Sequence, residues 1–335
     1  MDRIYELRRE IDRIDREITR LLDKRFEIAE EIGRVKREMG IETYDPEREE
    51  QILRRMGKYS GIYREILRYS KERQREVASK DLNKMDYRVG IIGYGRMGRL
   101  FAEIFKKFSE QVSVYDIRDD IEPPKNIRRA GDVEELICES DIIMVSTPLN
   151  IIHDTLKEVR ELMVERKGGG KLLFDIATIK YMVVPGLAKF PKDVDVATVH
   201  PMFGPNIESH IDEKIFVMEI QGREEAADKL SHIFKKIGFK VYRTDYMTHD
   251  IYMIYTIGLP YLLGYTYGEI INPLGEEVEL YGGPSYRMFR DYYRRIAVDG
   301  IDFIRHILGH PMGRRIVERL VDIIWYTSGL EDTNP

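Results

Sequence analysis

The sequence predicts a multidomain chain: an N-terminal all-α module (residues 1–80), an α/β domain built on a parallel sheet (87–243) and a C-terminal all-α domain (244–335). Three observations predict it. Apolar residues recur at 3-4 spacing through the first forty positions, the period of a helix seam. From Val89 the pattern changes to short β-branched runs separated by helical stretches, as in βαβ units. Beyond Tyr246 the helical period returns and continues to Trp325. A length of 335 residues suits two or three domains.

Composition narrows the class. A hydrophobic content of 43% is ample for real cores, and the single cysteine, Cys138, permits no intramolecular disulfide and suits a reducing compartment. No run of about 18 apolar residues occurs, and the first residues read as a charged helix instead of a signal sequence. A cytoplasmic protein without a membrane partner is expected. Charged residues make up 34% of the chain, yet the net charge is only −5, which argues against a nucleic-acid partner.

In the first helix, Ile4, Leu7, Ile11, Ile14, Ile18, Leu21, Arg25, Ile28, Ile32 and Val35 form one heptad seam with a single charged member. A guanidinium in such a seam costs several kcal/mol unless an anion meets it. Arg25 therefore needs either an internal carboxylate or a ligand. After Gly40, Asp45 reads as an N-cap with Pro46 at the first helical position. A third helical pattern, through Ile62, Ile66 and Leu67, carries Ser70 and Gln74 on its polar face.

The stretch LRREIDRIDREITRLLDKRFEIAEEIGRVK, followed by YDPERE and SKERQ, resembles the all-helical chorismate mutase domain over nearly all of residues 3–78. The resemblance implies a chorismate site made by Arg8, Arg25, Lys36, Arg48 and Gln74, with Asp45, Glu49 and Ser70 in support. These residue types suit the chemistry: chorismate is a dicarboxylate whose rearrangement to prephenate breaks an ether bond without a nucleophile. The segment between Glu49 and Ser70 is several turns shorter than is usual in that family. Helix geometry adds a constraint. Arg25 and Lys36 are about 16 Å apart along the axis, but Arg8 is about 42 Å from Lys36 at ~1.5 Å per residue. One straight helix cannot bring all three to one ligand, so two chains paired antiparallel about a two-fold axis, a homodimer, are expected to share the site.

Residues 78–87 are polar and aperiodic and read as a linker. Val89 to Phe101, VGIIGYGRMGRLF, then reads as strand, tight turn and helix. In a dinucleotide-binding turn, Gly93 makes the turn, Gly95 admits a pyrophosphate and Gly98 lets helix and strand approach. A turn serving only packing is the competing reading. A second strand, Val112 to Tyr115, ends in Asp116 at the ~20-residue distance expected of a ribose-binding acid. That carboxylate favours NAD over NADP, although Arg118 nearby leaves the second cofactor open. Further strands read as Asp141 to Ser146, Lys171 to Asp175, and Val194 to Val199, the last ending in His200. Ligands of open α/β sheets sit beyond such strand ends. No second His or Cys lies at zinc spacing, so no metal is expected. The residues alone leave a structural and a catalytic His200 equally open.

GYGRMGRLF, STP, DIATIK and HPMFGP, in this order, resemble the prephenate dehydrogenase family, most closely its bifunctional chorismate mutase/prephenate dehydrogenase members, from about residue 88 to the C-terminal region. The resemblance implies a Rossmann domain that holds NAD through Gly93, Gly95, Arg96, Met97, Gly98, Asp116, Ser146, Thr147 and Pro148. It implies that His200 accepts a proton or hydrogen bond from the 4-hydroxyl of prephenate. Thr178, where the family usually has Ser, would orient that hydroxyl, and Arg295, with Arg294 as runner-up, would hold the substrate carboxylate. Tyr261 stands where a substrate-contacting histidine is common. The C-terminal helices are expected to dimerise. Two other readings stay open: arogenate as the substrate, and a helical module that only oligomerises or regulates.

Overall fold

The computed structural model describes residues 2–39, 45–80, 84–165 and 169–329. The chain packs as two units, one of Met1–Lys84 with Phe203–Lys214 and Ile233–Lys240, the other of Met85–Met202, Ile215–His232 and Val241–Pro335.

In the first unit, α1 (Asp2–Glu38) is the long helix that the seam predicts. Asp45 caps α2 (Pro46–Met56) by accepting the Arg48 N–H at 2.9 Å. Helix α3 (Ser60–Lys80) lies against the C-terminal half of α1, burying Ala29 and Leu67 and setting the Phe26 and Tyr69 rings 5.2 Å apart. The seam itself is not what α3 covers: among the described residues Ile4, Leu7, Ile11, Ile14, Ile18 and Leu21 remain 45–57% exposed, and Ile28, Ile32 and Val35 remain 44–53% exposed.

In the second unit the chain alternates strand and helix: β1 (Met85–Ile92), α4 (Arg96–Phe105), β2 (Ser109–Tyr115), β3 (Arg128–Arg129), α5 (Val133–Glu139), β4 (Ile142–Val145), α6 (Ile152–Glu165), β5 (Leu172–Asp175), α7 (Val184–Leu187) and β6 (Asp195–Pro201). Strands β7 (Lys214–Glu219) and β8 (Lys240–Arg243), with α8 (Glu224–Lys236) between them, complete one eight-stranded sheet of order β3-β2-β1-β4-β5-β6-β7-β8. Pairing is parallel from β3 through β6 and antiparallel between β6 and β7. Helices α5 to α7 cover Ile143, Val145, Leu173 and Val196, which are buried like Leu136 and Val159 above them; strands covered on both faces are apolar throughout.

Two expectations are corrected here. The linker read at residues 78–87 is shorter, because α3 continues to Lys80 and β1 begins at Met85, which is buried and pairs with Ser109. The strand read to Val199 runs on to Pro201, so that His200 is the second-last residue of β6, because the antiparallel β7 extends the ladder and sets Phe216 opposite His200.

The C-terminal region is helical, as expected: α9 (Tyr246–Met253), a π-turn at Ile254–Gly258, α10 (Leu259–Ile271), α11 (Val278–Tyr281), α12 (Pro284–Ile296), α13 (Gly300–Leu308) and α14 (Pro311–Ser328). Ile179, from the loop after β5, shares a core with Met253, Ile254, Ile307 and Ile316. A Cβ at Gly268 would collide with the Tyr293 ring, so α10 and α12 approach only through glycine. No helix among the described residues is long and apolar enough to cross a membrane.

Candidate active sites

The order of the sheet reverses between β1 and β4, and the strand ends there form the crevice where doubly wound folds bind ligands. The three glycines differ in what a side chain would meet. Gly93 has φ +98°, and a Cβ on it would lie 2.5 Å from the Ser146 carbonyl oxygen. A Cβ on Gly98 would strike the Gly93 carbonyl, whereas one on Gly95 would meet nothing within 4 Å. The backbone at Gly95 is thus open at the start of α4, the kind of helix terminus whose free N–H groups can hold an anion. Beside it, the Thr147 hydroxyl oxygen is buried without a hydrogen-bond partner among the described residues, and the Ser146 N–H donates to the Ile92 carbonyl at 2.7 Å. Pro148 follows exposed and Met97 is half-buried.

At the end of β2, Asp116 accepts the Tyr94 N–H at 2.7 Å and two guanidinium nitrogens of Arg118 at 2.8 and 2.9 Å. The hydrogen bonds from Arg118 hold its carboxyl down at about 2. Open backbone at Gly95, an unpartnered Thr147 hydroxyl and an ionised Asp116 make a donor and acceptor set that fits a nicotinamide dinucleotide.

Arg96, inside the turn, is paired instead with Asp299 at 2.6 Å, and the Tyr261 hydroxyl donates to the other Asp299 oxygen at 3.1 Å. Burial first, then Asp299, raises the Tyr261 phenol well above its ordinary value. Arg295 lies four residues before Asp299, exposed and without an ion pair among the described residues. Arg294 is spent on Glu279 at 3.4 Å, together with Arg290.

His200 is buried, and its Nδ1 lies 2.9 Å from Nε2 of His249, whose Nδ1 lies 2.9 Å from Oδ1 of Asp250. Asp250 also accepts the backbone N–H groups of Lys180 and Tyr181 at 2.9 and 2.7 Å. Beneath this chain the fully buried Lys180 ammonium meets Asp175 at 2.9 Å and the Val199 carbonyl at 2.7 Å, and the Thr198 hydroxyl donates to Asp175. Burial, then His249 and Lys180, pushes His200 well below its ordinary value, so the ring is neutral at pH 7. Thr178 sits half-buried in the loop after β5 and makes no hydrogen bond among the described residues. Asp175, Lys180, His249 and Asp250 were not singled out from the sequence. Their only local sign was the motif DIATIK and the pair His249-Asp250, and neither discloses a partner.

In the first unit, Arg25 donates to the Ser70 hydroxyl, which donates to the Ile66 carbonyl at 2.7 Å. No carboxylate pairs with Arg25 among the described residues, and burial lowers its guanidinium from the ordinary value. Of the two partners the seam demanded, the internal carboxylate is not found. Arg25 instead lines a cavity of about 460 Å³ with Lys24, Arg48, Arg55 and Tyr63. Gln74 faces the same α1–α3 contact, donating to the Ala29 carbonyl at 2.9 Å. Glu49 pairs with Lys71 at 2.6 Å, and Asp45 is spent on capping α2. Lys36 and Arg8 are not in the cavity lining. Arg8 is exposed and, on α1, lies about 26 Å from Arg25 at ~1.5 Å per residue. Lys24, Arg55 and Tyr63 were missed by the sequence reading, because they reach the cavity only once α2 and α3 fold over α1.

Residues 7–75 match the family of chorismate mutase type II, and residues 51–164 match the NAD binding domain of the D-isomer specific 2-hydroxyacid dehydrogenases. The T-protein of Haemophilus influenzae is 29% identical over 268 residues, 76% of this chain and 67% of that protein. The T-protein of Enterobacter agglomerans is 26% identical over 275 residues, 78% of this chain and 69% of that protein. Among solved structures, prephenate dehydrogenase from A. aeolicus in complex with hydroxyphenyl propionate and NAD+ has a TM-score of 0.52 at 16% identity, covering 74% of this chain and 93% of that one. The chain therefore joins a chorismate mutase type II domain to an NAD-binding domain with the fold of the prephenate dehydrogenases.

Proposed function

We infer that this chain is a bifunctional enzyme of tyrosine biosynthesis, which rearranges chorismate to prephenate and oxidises prephenate, with loss of CO2, to 4-hydroxyphenylpyruvate. One observation carries the reading: a single chain holds both an Arg25 without an internal anion among the described residues, in a cation-rich cavity, and a neutral His200 near the C-terminal end of β6 in the same sheet as a dinucleotide turn. In the first reaction Arg25, Arg48, Lys36 and Arg8 would hold the two carboxylates, and Gln74 would donate to the ether oxygen. No nucleophile is needed. Glu49, Ser70 and Asp45 would support these groups.

In the second reaction the NAD+ held by Gly93, Gly95, Arg96, Met97, Gly98, Asp116 and Ser146-Thr147-Pro148 supplies a hydride acceptor. His200, neutral because it is buried, takes the proton of the 4-hydroxyl as hydride leaves the same carbon. Loss of CO2 then aromatises the ring. Thr178 would orient the hydroxyl, and Arg295, free of ion pairs among the described residues, would grip a carboxylate at two points. The two carboxylates four residues from Arg295 are both engaged, Asp291 with Arg290 and Asp299 with Arg96 and Tyr261, which favours the keto side chain of prephenate over the amine of arogenate.

The exposed apolar seam of α1 supports a homodimer in which each mutase site takes Arg8 from the second chain, and exposed Ile323, Ile324 and Trp325 on α14 support a second apolar contact between copies. A cytoplasmic location agrees with one free cysteine and no membrane-crossing helix among the described residues. The deciding experiment supplies the purified chain with chorismate, then adds NAD+. Prephenate must form in the first step and NADH in the second. Turnover of added prephenate without turnover of chorismate would reduce the helical module to an oligomerisation or regulatory domain, and faster NADH formation from arogenate would change the substrate.

A further inference from the structure

The hydrogen bonds behind His200 have a direction that the geometry determines. Asp250, as a carboxylate, only accepts. Its orientation is set by two backbone donors: the Lys180 N–H lies 2.9 Å from both oxygens, and the Tyr181 N–H lies 2.7 Å from Oδ2. Oδ1 is left facing Nδ1 of His249 at 2.9 Å, so that nitrogen carries the proton. A neutral imidazole has one N–H, which makes Nε2 of His249 an acceptor. Its neighbour at 2.9 Å is Nδ1 of His200, which must therefore donate. The lone pair of a neutral His200 then falls on Nε2. Burial favours the neutral form of both rings, and the buried Lys180 charge opposes protonation of either.

We propose that His249 and Asp250 are positioning residues that hold His200 in the tautomer with its proton on Nδ1 and its lone pair on Nε2, aimed at the substrate hydroxyl. The proposal rests on the dehydrogenase reading above. The step balances: the C–H electron pair leaves as hydride to NAD+, which is reduced, while the O–H proton passes to Nε2 and a C=O bond forms. The C–CO2 bond then breaks, its electrons enter the ring, and the resulting phenolate regains the proton from His200. During the interval the Asp250 carboxylate, acting through the neutral His249, stabilises the imidazolium without taking its proton, as a buried carboxylate supports a histidine base in a Ser-His-Asp triad.

Asp250→Asn gives the sharpest test. The amide oxygen must take the Oδ2 place, because an NH2 there would face the buried N–H groups of Tyr181 and Lys180. The NH2 then points at His249, reverses both imidazoles and leaves an N–H on Nε2 of His200. In a triad such a swap costs about 10⁴-fold in kcat. Here we expect a fall in kcat of ~10²–10⁴-fold with KM for prephenate and NAD+ little changed. His249→Phe, which removes the acceptor, should fall as far, and His249→Gln, whose amide oxygen can accept the Nδ1 proton of His200, should recover activity over His249→Phe. Nitrogen-15 NMR of histidine-labelled wild-type enzyme should show an unprotonated Nε2 on His200, assigned by loss of its signals in His200→Asn. A wild-type His200 protonated on Nε2, or folded Asp250→Asn and His249→Phe enzymes with unchanged kcat, would overturn the proposal. Because the NMR reading is made without substrate, a chain that does not oxidise prephenate would sink the functional reading while the tautomer is still decided.

Discussion

Arg118 closes on Asp116 as a two-nitrogen fork, at 2.8 and 2.9 Å, two residues away at the end of β2. The arrangement answers the doubt that a cation at this position raises. Arg118 does not stand apart as a receptor for a 2′-phosphate; it keeps Asp116 ionised and orients it, while also donating to the Tyr94 carbonyl at 3.2 Å.

Cofactor choice should therefore follow Asp116. The wild-type enzyme is expected to use NAD+, and Asp116→Ala, which releases Arg118, should raise kcat/KM for NADP+ relative to NAD+ by about tenfold or more, a change on the order of 1.4 kcal/mol. Steady-state kinetics with both cofactors checks this. Equal use of NADP+ by the wild-type enzyme would show that Arg118 already serves a phosphate.

His200→Asn should reduce prephenate oxidation by ~10²–10⁴-fold, the usual worth of a positioned acid–base group. NAD+ binding, measured by titration calorimetry, should hardly change, since His200 stands on β6 and not on the dinucleotide turn. A matching loss of cofactor affinity would argue for a structural His200.

Stability should fall as the solution is acidified through the ordinary histidine range. His200 and His249 both have folded-state values below 6.5, chiefly through burial. Below about pH 6.5 the unfolded chain binds protons that the folded chain refuses, so unfolding gains up to about 1.4 kcal/mol per pH unit for each ring. Urea unfolding followed from pH 7.5 to 5.5 measures the slope, and His249→Gln should reduce it. A flat profile would mean that the rings are hydrated in the folded protein.

Mutase activity should require two chains. Arg8→Ala and Lys36→Ala should each be inactive alone. Mixed under conditions of subunit exchange, they should regain activity, because each mixed dimer holds one intact site and one doubly damaged site. Exchange confirmed by mass without returning activity would give Arg8 another role.

What the sequence by itself determined lies within a few residues of chain. The 3-4 apolar spacing dictated α1, Asp45 and Pro46 dictated the start of α2, and Gly93-x-Gly95-x-x-Gly98 dictated a turn in which a Cβ at Gly93 or Gly98 would clash. Backbone sterics and helix periodicity decide such features locally. What only the tertiary structure decided are partners brought together from afar. Arg25 meets Ser70 across 45 residues, His200 meets His249 across 49, and Arg96 meets Asp299 across 203. The antiparallel β7, which carries β6 past His200, left no local mark either. A buried polar group must find a hydrogen-bond partner, but which group supplies it depends on how helices and strands pack, and periodicity along the chain carries no record of that choice.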